Sequence, residues 1–286
     1  TIRRGKLLTL LQTALRKKEF AFARQACLLW MANYPGDLLV NFVYASVLAE
    51  LGDKDLAMTN LGKICRLDPE FSEAIRLYSA LAKDEKLIQD LQASLIYLGK
   101  LAPNSAKTPK WLKPLMAAKA ALLAGDKAGA EKEVLAALAF KPENPLPAIL
   151  HMDLVHKSAN QTLLSTLSSI YLSNWPDCLQ IKVYAALSDM QQDKDSAGVE
   201  KMHWSAAHDT SGQVIQRILG PNHNFRPLWP EDLRVVMDLP IPASIASELG
   251  LNQLAPSQSA GKAKSSPTPS ISGKPKLAKQ LPDYMM

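Results

Sequence analysis

The stretch Asn41–Pro69, NFVYASVLAELGDKDLAMTNLGKICRLDP, contains two helical patterns that are separated at Gly52 and Asp53. Gly52 can take the left-handed backbone conformation that ends a helix, and Asp53 or Asp55 can cap the helix that follows. Pro69 cannot continue that second helix because it has no amide hydrogen to donate. The stretch therefore predicts a helix, a tight turn, a second helix and a stop.

Apolar and small side chains in this stretch recur at the spacing of helical faces. They are Tyr44, Ala45, Leu48, Ala57, Leu61 and Ile64. Their positions predict apolar stripes that face each other on two helices. The small side chains of Ala45 and Ala57 allow the helices to approach closely, so we expect the two helices to pack as a pair.

Prolines recur along the chain with a period of 34 residues, interrupted by one step of 39, at Pro35, Pro69, Pro103, Pro142 and Pro176. The longer step contains the polar stretch 104–109, which predicts a loop insertion. A period of this length indicates stacked helix-turn-helix units. It divides the chain into units 4–35, 38–69, 72–103, 111–142, 145–176 and 179–210.

The residues of these units resemble the tetratricopeptide repeat (TPR) family. The 34-residue unit of that family has a small residue in its first helix, a glycine at its turn, an alanine in its second helix and a closing proline. In unit 111–142 those places are held by Ala118, Gly125, Ala130, Ala137 and Pro142. The resemblance implies an all-α fold, a right-handed α-solenoid of about six helix-turn-helix units.

Four units depart from the family pattern. Lys18, Lys86 and Ala159 stand where the turn glycine is expected in the first, third and fifth units. The sixth unit has Gly198 in its second helix and lacks the closing proline. A degenerate unit of this kind is typical of the end of a repeat array.

Residues 211–254 leave the 34-residue period and are rich in proline. Because the last helix of a repeat array exposes an apolar face, we expect this segment to be a C-terminal cap, the alternative being a recognition element of its own. The residues expected to cover that face are Trp229, Val235, Val236 and Met237. Residues 255–286 have few large apolar groups and are predicted to be a disordered basic tail or linker.

The net charge of +6 is concentrated at the two ends of the chain. Residues 1–18 carry six cations and no acid, and residues 255–286 carry a net charge of +4, so residues 19–254 carry about −4. Binding of nucleic acid requires a basic face, so nucleic acid is not an expected partner of the body. Attachment of the basic ends to RNA or another anionic surface remains an alternative function.

The cysteines and the hydropathy pattern indicate the setting of the protein. Cys27, Cys65 and Cys178 are odd in number and widely spaced, which predicts neither a disulfide framework nor a metal site. Free thiols favour a reducing, cytoplasmic setting. No run of about 18 to 20 apolar residues is present, so the sequence predicts no membrane span.

The sequence lacks the motifs of the common enzyme classes. It contains no phosphate-binding glycine loop, nucleophile elbow or zinc-protease motif. His151 and His156 are five residues apart, as are His203 and His208, which places the members of each pair about 140° apart around a helix. We therefore predict surface or interface histidines, a non-enzymatic protein, and no metal, cofactor or catalytic residues.

The resemblance also implies a function. In the family, the first helices of successive units line a concave groove that receives an extended peptide or a helix of a partner protein. On this chain the implied groove residues are Leu8, Gln12, Phe42, Ser46, Arg76, Lys83, Lys119, Ile149, Asp153 and Val183. Their mixed character predicts a partner with apolar anchors and acidic groups, because the cations can form charge-assisted hydrogen bonds with carboxylates.

The predicted function is therefore a protein–protein interaction scaffold that acts within a larger complex. The sequence leaves the identity of the partner open. A second alternative is the repeat arm of a longer multidomain enzyme or regulator, which we expect from the start of the sequence at Thr1 and from the linker-like composition of residues 255–286.

Overall fold

The computed structural model describes residues 1–103 and 108–251, and these residues form 14 α-helices and two short strands. The all-α prediction is confirmed for this part of the chain. No helix in these ranges has both the length and the apolar surface that crossing a bilayer requires. The predicted loop insertion lies largely outside the described residues, and the predicted basic tail lies wholly outside them.

The first twelve helices form six consecutive pairs, one in each of the six sequence units. Each of these helices packs against the next one along the chain, as expected for a helical repeat. Their bounds are α1 (Arg4–Arg16), α2 (Phe20–Met31), α3 (Leu38–Glu50), α4 (Lys54–Leu67), α5 (Ser72–Leu81), α6 (Glu85–Tyr97), α7 (Leu112–Leu123), α8 (Lys127–Leu138), α9 (Leu146–Lys157), α10 (Gln161–Asn174), α11 (Leu179–Met190) and α12 (Asp195–His208).

The turns within the pairs use the left-handed backbone conformation. Gly52 and Gly125 have φ angles of 91° and 80°, as predicted for glycines that end a helix. Lys18 and Ala159 adopt the same conformation at the corresponding places of their units, with φ angles of 59° and 56°. The first and fifth units therefore keep the left-handed turn although they lack the turn glycine.

Two details of the turns differ from the sequence prediction. The chain leaves α5 in an extended conformation at Ala82, so Lys86 lies inside α6 and not in a left-handed turn. Asp53 precedes α4 as predicted, but its side chain makes no capping hydrogen bond. The corresponding Asp126 does cap α8, because its carboxylate accepts a hydrogen bond from the Gly129 amide at 2.8 Å.

We expect the substitution Ala159→Gly to stabilise the fold by about 0.5–1 kcal/mol. A side chain in the left-handed region costs about 1–2 kcal/mol, and the extra backbone entropy of glycine cancels only part of that gain. Urea unfolding followed by circular dichroism would measure the change. The matched control is Gly52→Ala, which should destabilise, because an added methyl group there meets no other atom and the backbone effect acts alone. A loss of stability in the Ala159→Gly variant would contradict the prediction.

The segment after the sixth pair reaches both ends of the helix array. Its first part packs in the core that contains α12, whereas its second part packs against the beginning of the chain. The strand β2 (Arg234–Val235) pairs antiparallel with β1 (Ile2–Arg3), and the last helix packs against α1. The elements of the segment are α13 (Gln213–Leu219), a 3-10 helix (Arg226–Leu228), β2 (Arg234–Val235) and α14 (Ala243–Glu248).

The prediction that four apolar residues of this segment cover the last helix was wrong for three of them. Trp229 is buried in the core that contains α12. Val235 and Met237 pack instead with the first two helix pairs, and Val236 is 76% exposed. The pairing of β2 with β1 brings Val235 to the first helices and away from α12, and Val236 lies just after the end of this strand.

The sixth helix pair and its following loop lie against the first two pairs. The Thr210 amide donates a hydrogen bond to the Gly36 carbonyl oxygen at 3.1 Å. A side chain at Gly36 would overlap the carbonyl oxygen of Ala207, so this approach requires glycine. Gln180, at the start of α11, donates a hydrogen bond to Asp68, at the end of α4. The helix array therefore curves until its last pair contacts its first pairs.

Several basic residues of the N-terminal end are used inside the fold. Arg4 donates two hydrogen bonds to the buried carboxylate of Asp37, at 2.7 and 2.9 Å. Arg16 and Lys17 form ion pairs with Glu248 of α14, at 2.6 and 2.9 Å. These three cations join α1 to the start of α3 and to the C-terminal segment.

Candidate functional site

Three of the ten predicted groove residues lie together in a cleft between α3 and α5. Phe42, Ser46 and Arg76 line this cleft, whose volume is about 550 Å³. We call it the groove cleft. Its other lining residues are Ala49, Glu50, Ser72, Glu73, Leu77, Ala80 and Lys100.

The groove cleft combines an apolar wall with a polar rim. The Phe42 ring packs on Phe71 with 5.4 Å between the ring centroids, which fixes its position. The Ser46 hydroxyl donates a hydrogen bond to the Phe42 carbonyl oxygen at 2.9 Å. The Arg76 guanidinium forms no ion pair with any carboxylate of the described residues, and its one hydrogen bond, to the Lys100 carbonyl oxygen, is long at 3.5 Å. Arg76 is therefore able to bind a carboxylate of a partner.

Three other predicted groove residues lie outside the groove cleft. Leu8 is half-buried and packs against the core formed by the first helices. Gln12 is exposed on α1, and Lys83 is exposed in the connection that follows α5. The structure therefore does not join these residues to Arg76 in one surface.

The last four predicted groove residues are used inside the fold. Val183 is 1% exposed and Ile149 is 8% exposed, so both are core residues, and the prediction that they line a groove was wrong. Val183 is buried because its helix, α11, is covered by α9, α10, α12 and α13 together. Ile149 is buried because its helix, α9, packs against α8, α10 and α11. The Lys119 ammonium donates a hydrogen bond to the Tyr97 carbonyl oxygen at 2.7 Å. The two carboxylate oxygens of Asp153 accept hydrogen bonds from the Lys157 ammonium and from the Tyr184 hydroxyl.

The acids and tyrosines around Asp153 form a half-buried polar cluster. Burial, together with the nearby charges of Asp153 and Glu70, raises the pKa of Tyr184 and Tyr97 well above the ordinary value for tyrosine. Burial also raises the pKa of Glu70, against the opposing effect of the Arg217 guanidinium. The hydroxyls of Tyr184 and Tyr97 therefore stay neutral in the folded protein. The Tyr184 hydroxyl donates a hydrogen bond to Asp153 at 2.9 Å.

His203 is exposed as predicted, whereas His151 and His156 are less exposed than predicted. His151 is buried, and its Nδ1 lies 2.7 Å from the Tyr171 hydroxyl oxygen. Burial lowers the pKa of His151, so the ring is neutral at pH 7, and its tautomer sets which of the two groups donates the hydrogen. His156 packs on Tyr184, with ring centroids 5.5 Å apart. Within the ranges that the structure describes, no group of three or more potential ligand residues could hold a metal ion.

The cysteine thiols do not have the properties of nucleophiles. Cys27, Cys65 and Cys178 are all free, and two of them are buried. Burial raises the pKa of each thiol to about 12. The reactive form of cysteine is the thiolate, so these side chains remain as unreactive thiols near neutral pH.

A second and larger cleft was not predicted from the sequence. It has a volume of about 950 Å³ and lies where α4, α5 and α6 meet the ends of α8 and α10. We call it the edge cleft. The closing prolines Pro69, Pro142 and Pro176 are among its lining residues. Their 34-residue period was the one available signal, because equivalent ends of stacked units lie at the same edge of an array.

Comparison with known proteins does not add a family to this description. No protein-family model matches the chain, and no curated protein or solved structure shows significant similarity to it. The assignment of a function therefore depends on the geometry of the two clefts and on the helix pairs that form them.

Proposed function

We propose that the protein is a TPR-type scaffold that binds a short peptide segment of a partner protein in the groove cleft. The observation that carries the proposal is the position of Phe42, Ser46 and Arg76 in one open cleft. These three residues are among the ten that the resemblance to the family selects from the first helices of its units. The proposal requires no chemical step.

The lining of the groove cleft defines the chemistry of the partner segment. Phe42 and Leu77 offer apolar contact, and buried apolar anchors supply most of the binding energy at small interfaces. Arg76 can bind a carboxylate in a bidentate geometry. The partner segment is thus an apolar residue with an Asp or Glu close to it. The rim also carries Glu50, Glu73 and Lys100, so a strongly acidic segment would meet repulsion as well as attraction.

The architecture is part of the same proposal. We infer that the six helix pairs wind as a right-handed solenoid of the TPR kind, strongly curved because its last pair contacts its first pairs. The left-handed turns at Gly52 and Gly125 and the packing of each helix on the next support this inference. The three free thiols support a reducing, cytoplasmic setting.

Selection from a displayed random peptide library, followed by fluorescence polarisation with the enriched peptides, tests the proposal. We expect enriched peptides to contain an aromatic or aliphatic residue near an acid. The variant Arg76→Glu should bind them at least about tenfold more weakly, because a charge-assisted hydrogen bond is replaced by repulsion. Lys63→Glu is the matched control, since Lys63 is an exposed cation on α4 outside the groove cleft. Equal losses in both variants, or no enrichment above a blank surface, would refute the proposal.

A further inference from the structure

The edge cleft is formed by parts of the chain that are far apart in sequence. One wall comes from α4, α5 and α6, and the other comes from the loops that follow α8 and α10. The ion pair between Arg66 of α4 and Asp177 joins the two walls at 3.7 Å. A volume of about 950 Å³ is at the upper end of the range for small-molecule sites, and a ligand there would contact both walls.

Asp90 places a negative charge in the edge cleft. Its two carboxylate oxygens accept hydrogen bonds from the indole N–H of Trp111 at 3.2 Å and from the side-chain amide of Asn144 at 2.9 Å. No cation of the described residues lies within ion-pair distance of Asp90; the nearby Lys86 pairs with Glu143 instead, at 2.6 Å. A half-buried carboxylate without a cation is costly, and a bound cation would offset that cost.

Aromatic rings line the same cleft as this carboxylate. Trp175 donates its indole N–H to the Glu143 carbonyl oxygen at 2.7 Å, while the next residue, Asn144, holds Asp90. One loop thus positions both the carboxylate and the indole ring. Tyr171 packs edge-on to Trp175, with ring centroids 5.8 Å apart. The faces of such rings attract cations and pack well with methylene groups.

The opposite wall carries a free hydroxyl group. The Tyr78 ring lies directly against Gly62 of α4, where an added methyl group would come within 3.1 Å of the Tyr78 hydroxyl oxygen. Tyr78 lines the edge cleft, and its hydroxyl has no hydrogen-bond partner among the residues that the structure describes. It can therefore accept a hydrogen bond from a ligand.

We propose that the edge cleft binds an aliphatic primary ammonium group, with the charge near Asp90 and the methylene chain against Tyr171 and Trp175. Asp90 is the carboxylate of the described lining that has no cation within ion-pair distance, because Glu143 pairs with Lys86 and Asp177 pairs with Arg66. The ammonium group belongs either to a free aliphatic diamine or to a lysine side chain of a peptide. This inference is independent of peptide binding in the groove cleft.

Isothermal titration of the full-length chain with 1,5-diaminopentane and with Nα-acetyl-lysine-N-methylamide tests the proposal and separates the two sources. We expect saturable binding of at least one amine with a stoichiometry of one, and no binding of pentanoate, which has a similar chain but the opposite charge. Tighter binding of the diamine would identify a free amine as the ligand, and tighter binding of the lysine derivative would identify a peptide side chain. Absence of binding for both amines at millimolar concentration would overturn the proposal.

Substitutions assign the binding to the edge cleft. Asp90→Asn should weaken the better amine by about tenfold or more, because the carboxylate charge is lost. Glu200→Gln, which removes an exposed carboxylate on α12, is the matched control and should leave the affinity unchanged. Because Asp90 also holds Trp111 and Asn144, Trp175→Leu serves as a second variant, and it should weaken binding by about threefold or more. Affinities that are unchanged in both cleft variants would overturn the proposal.

Discussion

Replacing Trp229 with alanine is expected to lower the free energy of unfolding by about 3–5 kcal/mol, the usual cost of removing a large buried aromatic side chain. Trp229 is 3% exposed and lies in the core that contains α12. Its indole N–H donates a hydrogen bond to the Asp209 carbonyl oxygen at 2.7 Å, and its ring packs edge-on to His223 with centroids 5.7 Å apart.

The loss would not be confined to one contact, because Asp209 positions the next helix. The Asp209 carboxylate accepts hydrogen bonds from the amides of Gln213 and Val214, at 3.0 and 2.7 Å, and so caps α13. Burial raises the pKa of Asp209 to about 7, so this cap already lies in a costly environment. Opening a cavity beside it is expected to loosen α13 together with the end of α12.

Urea unfolding followed by circular dichroism would measure the effect of Trp229→Ala. Trp229→Phe is the first control, and it should cost less because most of the apolar area is retained. Val236→Ala in the same segment is the second control, and it should change stability by less than about 0.5 kcal/mol because Val236 is largely exposed. A loss below about 1 kcal/mol for Trp229→Ala would mean that the segment is only loosely attached to the helix array.

The helix pairs could be predicted from the sequence because their signals are local. Gly52 and Gly125 mark turns, prolines mark the ends of units, and apolar stripes mark the faces that pack. Lys18 and Ala159 show the limit of residue type as a signal, since they take the same left-handed conformation without being glycine. Their positions in the 34-residue period predicted these turns, although lysine and alanine are not typical turn residues.

The candidate site could be predicted only in part because it depends on contacts between distant units. Phe42, Ser46 and Arg76 come from neighbouring units, and they do share a cleft. Val183 was placed in the groove by analogy with the first helices of other units, but α13 and α9 both pack on its helix. Asp90 carried no signal at all, because its partner Asn144 lies 54 residues away in the chain.

The substitution Arg217→Leu is expected to destabilise the protein by about 3 kcal/mol. Arg217 pairs with Asp68 at 2.6 Å, and the Asp68 side chain is fully buried, so the change would leave an uncompensated charge in the interior. The pair joins α13 to the end of α4 and thus holds the C-terminal segment to the second helix pair. Arg66→Leu is the matched control, because the Arg66 pair with Asp177 is exposed and longer, at 3.7 Å; it should cost less than about 1 kcal/mol.

A double-mutant cycle with Asp68→Asn separates the charge of Arg217 from the packing of its side chain. If Arg217 acts by neutralising the buried carboxylate, Arg217→Leu should cost much less in the Asp68→Asn protein, where no charge is left unpaired. Gln180 and Gln213 also donate hydrogen bonds to Asp68, at 3.2 and 3.3 Å, so the site would keep polar partners in both backgrounds. An equal cost in the two backgrounds would show instead that the methylene stem of Arg217, and not its charge, holds the C-terminal segment against the second helix pair.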